Sequence, residues 1–302
     1  MRIFITGGTG LIGRYLVTSL LARGDSVVCI SRQERRARPL LPSCAEVIQA
    51  DPTSEGPWQD SVAGCDAVVN LAGESVAKGN WSPNRKRRIR RSRLATTRNA
   101  AGAIAKSGSV RVFVSASATG YYGDCGNEAL DETRQPGHDW LARLAHEWEE
   151  NALLAESAMT RVVLLRIGVV LAREGGALPK MSLPFRFGLG GPIGDGRQYF
   201  PWIHIRDLIR AILYALDQED LRGPANAVAP DPPTQATFAR ALGRAMRRPA
   251  LLSVPAFLLR SLLGEKSEML LASQRAVPRA LRARGFHFEF GDLDTALTDL
   301  VG

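Results

Sequence analysis

A serine and a pair of tyrosines stand close together in the stretch SASATGYYGDCG, residues 115–126. The stretch follows an apolar segment and has the pattern of a strand end that brings hydroxyl groups into an active site. In that position Ser117 could orient a carbonyl or hydroxyl group, and Tyr121 or Tyr122 could relay a proton. The alternatives are a serine bonded only to backbone and tyrosines that pack around a loop glycine.

Three glycines near the start of the chain predict a phosphate-binding loop. Gly7, Gly10 and Gly13 come directly after the short apolar run RIFIT and at the start of the helical pattern LIGRYLVTSLLARG. In this fingerprint the first glycine permits a tight turn, the second lets the backbone approach a pyrophosphate, and the third lets helix and strand pack closely. Free N–H groups at the helix N-terminus then face the phosphates.

The end of the second predicted strand selects between the two nicotinamide dinucleotides. An NAD site usually carries an acidic residue there, which holds the ribose 2′-hydroxyl. This chain has Ser31 and Arg32 in that place, and Glu34 falls beyond it. Because a guanidinium attracts a 2′-phosphate, we expect NADP(H) to be preferred over NAD(H). The alternative is that Arg32 is an ordinary surface arginine.

The elements that must position these residues alternate between strand and helix patterns. Strands are predicted in RIFIT, SVVCI, EVIQA, DAVVNLAG, VRVFVSAS and RVVLLRIGVVL, and ANAVA is a candidate for a last strand. An alanine-rich helix is predicted in LATTRNAAGAIAKSG, after a basic run. Continuous apolar strands separated by helices predict an α/β fold with a doubly wound parallel sheet, a Rossmann fold.

The composition of the chain changes after about residue 175, where glycine, proline and aromatic residues become frequent. We therefore expect a smaller C-terminal substrate lobe. The predicted division is an NADP-binding domain over 1–170, completed by parts of 200–245, an irregular substrate lobe with returning elements over 171–250, and a small C-terminal domain over 251–302. Arg186, Gln198 and Trp202 are candidate substrate contacts within the lobe.

The overall composition is that of an ordinary globular protein, with 45% hydrophobic and 23% charged residues among 302. No run of about 18 apolar residues occurs, so we expect no membrane partner. The four cysteines are scattered without a C-x-x-C pair. This pattern predicts neither a metal site nor disulfides, and it suits the cytoplasm. The expected partner is a small-molecule substrate, and the expected state is a monomer or homodimer.

Arginine supplies most of the formal net charge of +9, and its densest run is NRKRRIRRSR, residues 84–93. The simplest interpretation is a solvated helix face. A second is anion contact near the cofactor. Nucleic acid is the least favoured partner because aromatic residues do not interleave with the basic ones.

Five motifs in this order, MRIFITGGTGLIG, DAVVNLAG, FVSASATGYYG, LLRIGVVL and WIHIRDL, resemble those of the extended short-chain dehydrogenase/reductases. This is the NAD-dependent epimerase/dehydratase superfamily. Residues 253–290 are similar to the C-terminal domain of unknown function in its "epimerase family protein" branch.

The resemblance implies roles for several residues. Ser117 matches the active-site serine, and Asp51 matches an adenine contact. Arg166 and Gly168 match the sixth-strand signature. His204 and Asp207 match a W-I-H-x-x-D segment whose aspartate is expected to cap the next helix. The full set of candidate cofactor contacts is Thr6, Gly7, Gly10, Leu11, Ile12, Gly13, Ser31, Arg32, Asp51, Leu71, Ala72, Gly73, Glu74, Ser115 and Arg166.

The chain departs from the superfamily at the Tyr-x-x-x-Lys pair. In the superfamily the tyrosine is the general acid/base and the lysine lowers its pKa. The helix DWLARLAHEWEENAL contains neither residue in any register. Arg143 or His146 could assist one of the strand-end tyrosines, although His146 also fits an ordinary surface position.

Two functions remain open from the sequence. The first is an NADP(H)-dependent oxidoreductase or epimerase-like enzyme acting on an unknown carbonyl or hydroxyl substrate. The second is an NADP(H)-binding sensor or protein-interaction scaffold without turnover.

Overall fold

Strands and helices alternate through most of the chain in the computed structural model, which describes residues 1–302. The strands are β1 (Arg2–Thr6), β2 (Ser26–Ser31), β3 (Glu46–Gln49), β4 (Ala67–Asn70), β5 (Val112–Ala118), β6 (Ala129–Leu130), β7 (Arg161–Ile167), β8 (Val169–Ala172), β9 (Gly175–Gly176), β10 (Trp202–His204), β11 (Gly223–Ala227) and β12 (Arg275–Ala276). The helices are α1 (Leu11–Ala22), α2 (Glu34–Ala37), α3 (Pro83–Ser107), α4 (Trp140–Leu153), α5 (Leu178–Arg186), α6 (Ile205–Asp217), α7 (Gln235–Met246), α8 (Ala256–Leu263), α9 (Glu268–Leu271), α10 (Arg279–Ala283) and α11 (Leu293–Val301).

Seven strands form one parallel sheet in the order β11-β7-β5-β4-β1-β2-β3. The chain winds outward from β1 through β2 to β3 and then returns to β4 on the other side. The prediction of a doubly wound Rossmann sheet is confirmed. In such a sheet the ligand crevice lies beyond the carboxyl ends of the strands at the point of reversal, between β1 and β4.

Both faces of the sheet are buried, as continuous apolar strands require. Side chains of β1 alternate between the faces. Ile3 and Ile5 belong to the same core cluster as the α1 residues Leu16 and Leu20, while Phe4 belongs to the cluster on the α3 side. This two-sided packing holds the strand ends, and therefore the candidate site, in fixed positions.

The segment RVVLLRIGVVL was predicted as one strand, and this prediction is wrong. The chain breaks at Gly168, so that β7 stays in the main sheet while β8 joins a three-stranded sheet with β9 and β10. A Cβ at Gly168 would lie 2.8 Å from the carbonyl oxygen of Pro201 and 2.9 Å from Cγ1 of Val228. Only glycine fits where these two chain segments approach so closely.

The basic run and the alanine-rich segment form a single helix, α3, rather than a helix that begins at Leu94. The start is set by Ser82, whose side chain accepts a hydrogen bond from the Arg85 N–H, and by Pro83 in the first turn. The helix ends at Gly108, which has φ +63°.

The C-terminal segment packs on the sheet domain through backbone pairing and buried polar contacts. β12 pairs with β6, and the buried carboxylate of Asp207 accepts hydrogen bonds from the N–H groups of Glu289 and Phe290, both at 2.8 Å. The expectation that Asp207 caps its helix is wrong. The N-cap of α6 is His204, whose Nδ1 accepts a hydrogen bond from the Arg206 N–H. No helix of the protein is both long and apolar enough to cross a bilayer.

Candidate functional site

The glycine loop between β1 and α1 has the geometry of a phosphate cradle. Gly7 adopts φ +76°, and a Cβ there would lie 2.7 Å from the carbonyl carbon of Leu71. A Cβ on Gly13 would lie 2.3 Å from the Gly7 carbonyl oxygen. A Cβ on Gly10 would meet only that same oxygen, at 3.2 Å, and otherwise faces open space. The loop therefore leaves room for a ligand beside Gly10.

The N-terminus of α1 offers hydrogen-bond donors to that space. The N–H groups of Leu11, Ile12 and Gly13 are the first three of the helix and have no intrahelical acceptor. No side chain caps the helix, and its first turn contains no acidic residue. An anion at this position would accept these donors and be stabilised by the helix dipole.

Thr6 and Ser115 lie beneath the loop in a buried polar network. Thr6 Oγ1 donates to Asn70 Oδ1 at 2.6 Å and accepts from the Ala72 N–H at 3.3 Å. Asn70 Nδ2 donates to the hydroxyls of Thr97 and Ser115. Both predicted cofactor residues are fully buried, so the structure places their side chains as supports that fix the ends of β1, β4 and β5.

The end of β2 presents a free cation. Arg32 is exposed and makes no hydrogen bond or ion pair with the protein. Ser31 is half-buried beside it, and its hydroxyl contacts the backbone of Gln33. Asp51, after β3, is exposed, and its carboxylate accepts hydrogen bonds from the Thr53 N–H and hydroxyl.

Two arginines of α3 bind the segment that follows β4, residues 71–74. The sequence analysis did not name either arginine as a site residue. The carboxylate of Glu74 pairs with Arg85, and the Glu74 carbonyl accepts a hydrogen bond from Arg93 Nη1 at 2.9 Å. The Arg93 guanidinium lies 3.1 Å from where a Cβ of Gly73 would be. Burial lowers the pKa of Arg93 to about 10, and Arg93 has no carboxylate ion pair. Leu71 and Ala72 are half-buried at the same edge.

Ser117 and Arg166 meet at a glutamate on α4 that the sequence analysis missed. Ser117 Oγ donates to Glu149 Oε1 at 2.6 Å. Arg166 donates through Nε and Nη2 to the two oxygens of Glu149, both at 2.8 Å. All three residues are at most 5% exposed. The only signal in the sequence was the position of Glu149 on the apolar face of α4, four residues after Ala145.

The two adjacent tyrosines have different surroundings. Tyr122 is 1% exposed, and its hydroxyl lies 2.7 Å from Asn226 Oδ1 and accepts a hydrogen bond from Arg166 Nη1 at 3.1 Å. Burial raises the pKa of Tyr122 to about 12. Tyr121 stacks its ring on the Arg166 guanidinium at 3.5 Å, and no protein atom hydrogen-bonds its hydroxyl. Burial also raises the pKa of Tyr121.

Helix α4 contains neither a tyrosine nor a lysine at the positions where the superfamily pair was sought. Ala142 and Ala145 of this helix are buried. Asp139 is the N-cap and accepts a hydrogen bond from the Ala142 N–H at 2.8 Å. Arg143 bonds the His138 carbonyl, while the half-exposed His146 lies 3.6 Å from Glu150 and packs its ring edge against Tyr121.

A cavity of about 720 Å³ opens between the loop that precedes α4 and the C-terminal segment. Its lining is mostly polar and includes Arg134, His138, Arg260 and Glu268, with Tyr122 at one end. The lobe residues proposed as substrate contacts do not line it. Trp202 is fully buried, and the buried Gln198 bonds the carbonyl oxygens of Ile193 and Leu270. Arg186 lines a separate cavity of about 300 Å³ beside α5.

Comparison with known families matches two family models to successive parts of the chain. The model of the NAD dependent epimerase/dehydratase family covers residues 3–228, and the model of a domain of unknown function, DUF1731, covers residues 254–300. The chain belongs to the NAD-dependent epimerase/dehydratase family.

Within the epimerase family, the chain is similar over nearly its whole length to several proteins. It is 40% identical to epimerase family protein ML0860 of Mycobacterium leprae, over 98% of this chain and 94% of that protein. It is 39% identical to mouse epimerase family protein SDR39U1, with full coverage of both chains.

Solved structures of epimerase family members agree with the fold. The crystal structure of human SDR39U1 with NADPH superposes with a TM-score of 0.89 at 36% identity and covers 100% of this chain and 99% of its own. The UDP-glucose 4-epimerase of Thermus thermophilus, in complex with NAD, superposes with a TM-score of 0.79 at 19% identity, which supports the fold alone.

Proposed function

We propose that this epimerase-family protein binds NADP(H) in preference to NAD(H) and catalyses an oxidoreductase or epimerase-type reaction on a small carbonyl or hydroxyl substrate. The observation that carries the cofactor preference is the unpaired, exposed guanidinium of Arg32 at the end of β2. No acidic residue stands at that strand end, where a carboxylate would repel a 2′-phosphate. The human relative solved with NADPH supports the same preference.

The free donors of the glycine loop would hold the pyrophosphate of that cofactor. They are the N–H groups of Leu11, Ile12 and Gly13, beside the open space at Gly10. Leu71, Ala72 and Gly73 would lie along the dinucleotide, since they border the same crevice. When bound, the nicotinamide ring supplies hydride acceptance or donation at this edge of the sheet.

Ser117 would position the substrate oxygen. Its proton is directed to the Glu149 carboxylate, so its oxygen presents lone pairs rather than a donor. A substrate hydroxyl can donate to those lone pairs, which favours a hydroxyl-bearing ligand. Glu149 keeps its own position because Arg166 holds both of its carboxylate oxygens.

Tyr121 is the better candidate of the two tyrosines for proton relay. Its hydroxyl is unbonded, whereas the Tyr122 hydroxyl is engaged by Asn226 and Arg166. Burial raises the pKa of Tyr121, so the residue stays protonated at neutral pH and would act as a proton donor. The geometry does not favour the predicted catalytic role of Tyr122.

A second function, cofactor binding without turnover, is favoured by one specific observation. Helix α4, which corresponds to the helix that carries the Tyr-x-x-x-Lys pair in the superfamily, contains no tyrosine and no lysine. In that case the protein would sense NADP(H) or present a surface to a protein partner.

Titration calorimetry with NADPH and NADH tests the cofactor proposal. We expect Arg32→Ala to weaken NADPH binding by about tenfold or more, because a charge-assisted bond to the 2′-phosphate is lost. NADH binding should stay unchanged. The matched control is Arg35→Ala, which removes a neighbouring exposed arginine without a side-chain partner. Equal loss in both variants, or equal affinity for the two dinucleotides, would contradict the proposal.

NADPH oxidation in the presence of a panel of carbonyl compounds separates the two functions. Turnover that Ser117→Ala abolishes, with NADPH affinity retained, supports the enzyme. Tight NADPH binding with no turnover on any member of the panel, and no NADP⁺ reduction with the matching alcohols, supports the sensor.

A further inference from the structure

Two surface segments concentrate most of the exposed large apolar side chains of the protein. Of fourteen such residues in the chain, eight lie within residues 183–189 and 251–262. The most prominent are Phe187 at 72%, Leu251 at 83% and Phe257 at 73% exposed. Exposed apolar clusters of this kind mark interaction surfaces.

The two segments lie side by side. The Leu252 N–H donates to the Gly190 carbonyl at 3.1 Å, and the Val254 N–H donates to the Pro192 carbonyl at 2.9 Å. A Cβ on Gly191 would lie 2.2 Å from the Leu252 carbonyl oxygen. These backbone contacts place the two apolar segments next to each other at the surface of the protein.

Helix α8 directs its apolar side chains outward. None of its residues is buried. Phe257, Leu258 and Leu262 share one exposed side of the helix, and the half-buried Leu259 and Leu263 lie on the opposite side. The protein offers no cover for the exposed side.

Arginines lie within or beside both apolar segments, and acidic residues are sparse there. Residues 178–194 and 235–264 contain no aspartate or glutamate. Arg186, Arg247 and Arg248 take part in no ion pair, whereas Arg244 in the second segment pairs with Asp294. We call this surface, residues 183–189 and 247–262, the apolar–basic patch.

We propose that the apolar–basic patch binds the surface of an anionic lipid bilayer. Protruding phenylalanine and leucine side chains flanked by arginines insert at the boundary of headgroups and acyl chains, and the arginines attract the lipid phosphates. A second copy of the chain fits less well, since a two-fold interface would place this cationic surface against itself. The binding is peripheral and involves no spanning helix. It departs from the sequence-based expectation of no membrane partner, which rested only on the absence of a spanning segment.

Vesicle flotation tests the proposal with the full chain. We expect binding to vesicles of phosphatidylcholine mixed with phosphatidylglycerol and little binding to phosphatidylcholine alone. Phe257→Asp should lower the partition coefficient by about tenfold or more, because an aromatic side chain that would insert into the bilayer is replaced by a charge. Arg186→Gln and Arg248→Gln should each lower it by about fivefold.

The matched control is Met159→Asp, which changes a side chain that is 67% exposed outside the patch. It should bind vesicles as the wild type does. Circular dichroism and thermal unfolding establish that each variant is folded. Absence of vesicle binding, equal binding to both lipid compositions, or equal loss in the control would overturn the proposal. A dimer that Phe257→Asp dissociates, without vesicle binding, would assign the patch to a second copy. Retention on polyglutamate without vesicle binding would assign it to an acidic protein.

Discussion

At the scale of single residues, the buried charges near the strand ends are arranged in one closed group. Glu149 and Arg166 form a bidentate ion pair with side chains that are 6% and 3% exposed. A buried pair contributes little net stability compared with an apolar pair, but removal of one partner leaves an uncompensated charge. The ion pair therefore fixes Ser117 and Tyr121 in place. Removal of either charged partner should lower the free energy of unfolding, because the other charge is left buried and unpaired.

Removal of Glu149 tests this arrangement. We expect Glu149→Ala to lower the free energy of unfolding by about 3–5 kcal/mol because Arg166 is left buried and unpaired. Glu147→Ala removes the partner of Arg90 in an exposed pair and should cost about 0–1 kcal/mol. Urea denaturation of both variants measures the difference. Similar losses would mean that the buried position of Glu149 does not matter.

The different surroundings of Tyr121 and Tyr122 predict different effects of removing each hydroxyl. If the protein turns over substrate, Tyr121→Phe should reduce kcat by about a hundredfold or more, with NADPH affinity unchanged, since proton donation is lost. Tyr122→Phe should instead lower stability, because it removes the hydroxyl that bridges Asn226 and Arg166. Steady-state kinetics and thermal unfolding of both variants give the comparison, and a kinetic effect confined to Tyr122→Phe would reverse the assignment.

At the scale of elements, helix α6 begins on a titratable N-cap, the side chain of His204. His204 begins α6, where its Nδ1 accepts the Arg206 N–H and its Nε2 lies 3.2 Å from Asp299. An accepting Nδ1 requires a neutral ring. Burial lowers the pKa of His204 below 6.5, so the folded protein binds this proton less readily than the unfolded chain does.

This difference predicts a pH dependence of stability. Because the unfolded chain takes up the proton first, the contribution of His204 is present above pH 6.5 and is lost as the pH falls through the lower pKa of the folded state. His204→Asn keeps a capping side chain but does not titrate. Denaturation from pH 7 to pH 5 should show a smaller loss in the variant. An identical decline in both proteins would place the titration elsewhere.

At the scale of the whole molecule, the C-terminal segment is attached to the sheet domain through the base of α6. The carboxylate of Asp207 is fully buried and bonds the N–H groups of Glu289 and Phe290. Phe290 also stacks on the His204 ring at 3.8 Å. The strand-to-helix turn that ends β10 therefore carries one of the contacts between the two parts of the chain, beside the pairing of β12 with β6.

Asp207→Asn should loosen that attachment. The side-chain NH₂ of the new asparagine would face one of the two backbone N–H groups, so one hydrogen bond is lost. We expect the free energy of unfolding to fall by about 1–3 kcal/mol. Hydrogen exchange should quicken at residues 286–300 while β1 and β4 stay protected. Asp294→Asn, at an exposed pair with Arg244, is the control and should change neither quantity. Uniform faster exchange across the sheet would show that the two parts unfold together.

The alternation of apolar runs and helical patterns determined the Rossmann sheet, and the placement of Gly7, Gly10 and Gly13 predicted the phosphate loop. Both are local: strand burial and glycine conformation depend on residues close together in the chain. The break at Gly168 was not predictable, because it depends on the approach of Pro201 and Val228, which are distant in sequence.

Only the tertiary structure brought together the polar and charged groups around Ser117 and Tyr122. Glu149, Arg166 and Asn226 come from α4, β7 and β11, and no spacing rule links residues on three separate elements. The same reason explains why the sequence left Tyr121 and Tyr122 equivalent, whereas packing bonds the hydroxyl of Tyr122 and leaves that of Tyr121 free. Sequence determined which residues lie at the edge of the sheet, and packing of distant elements decided which of them are already bonded to one another.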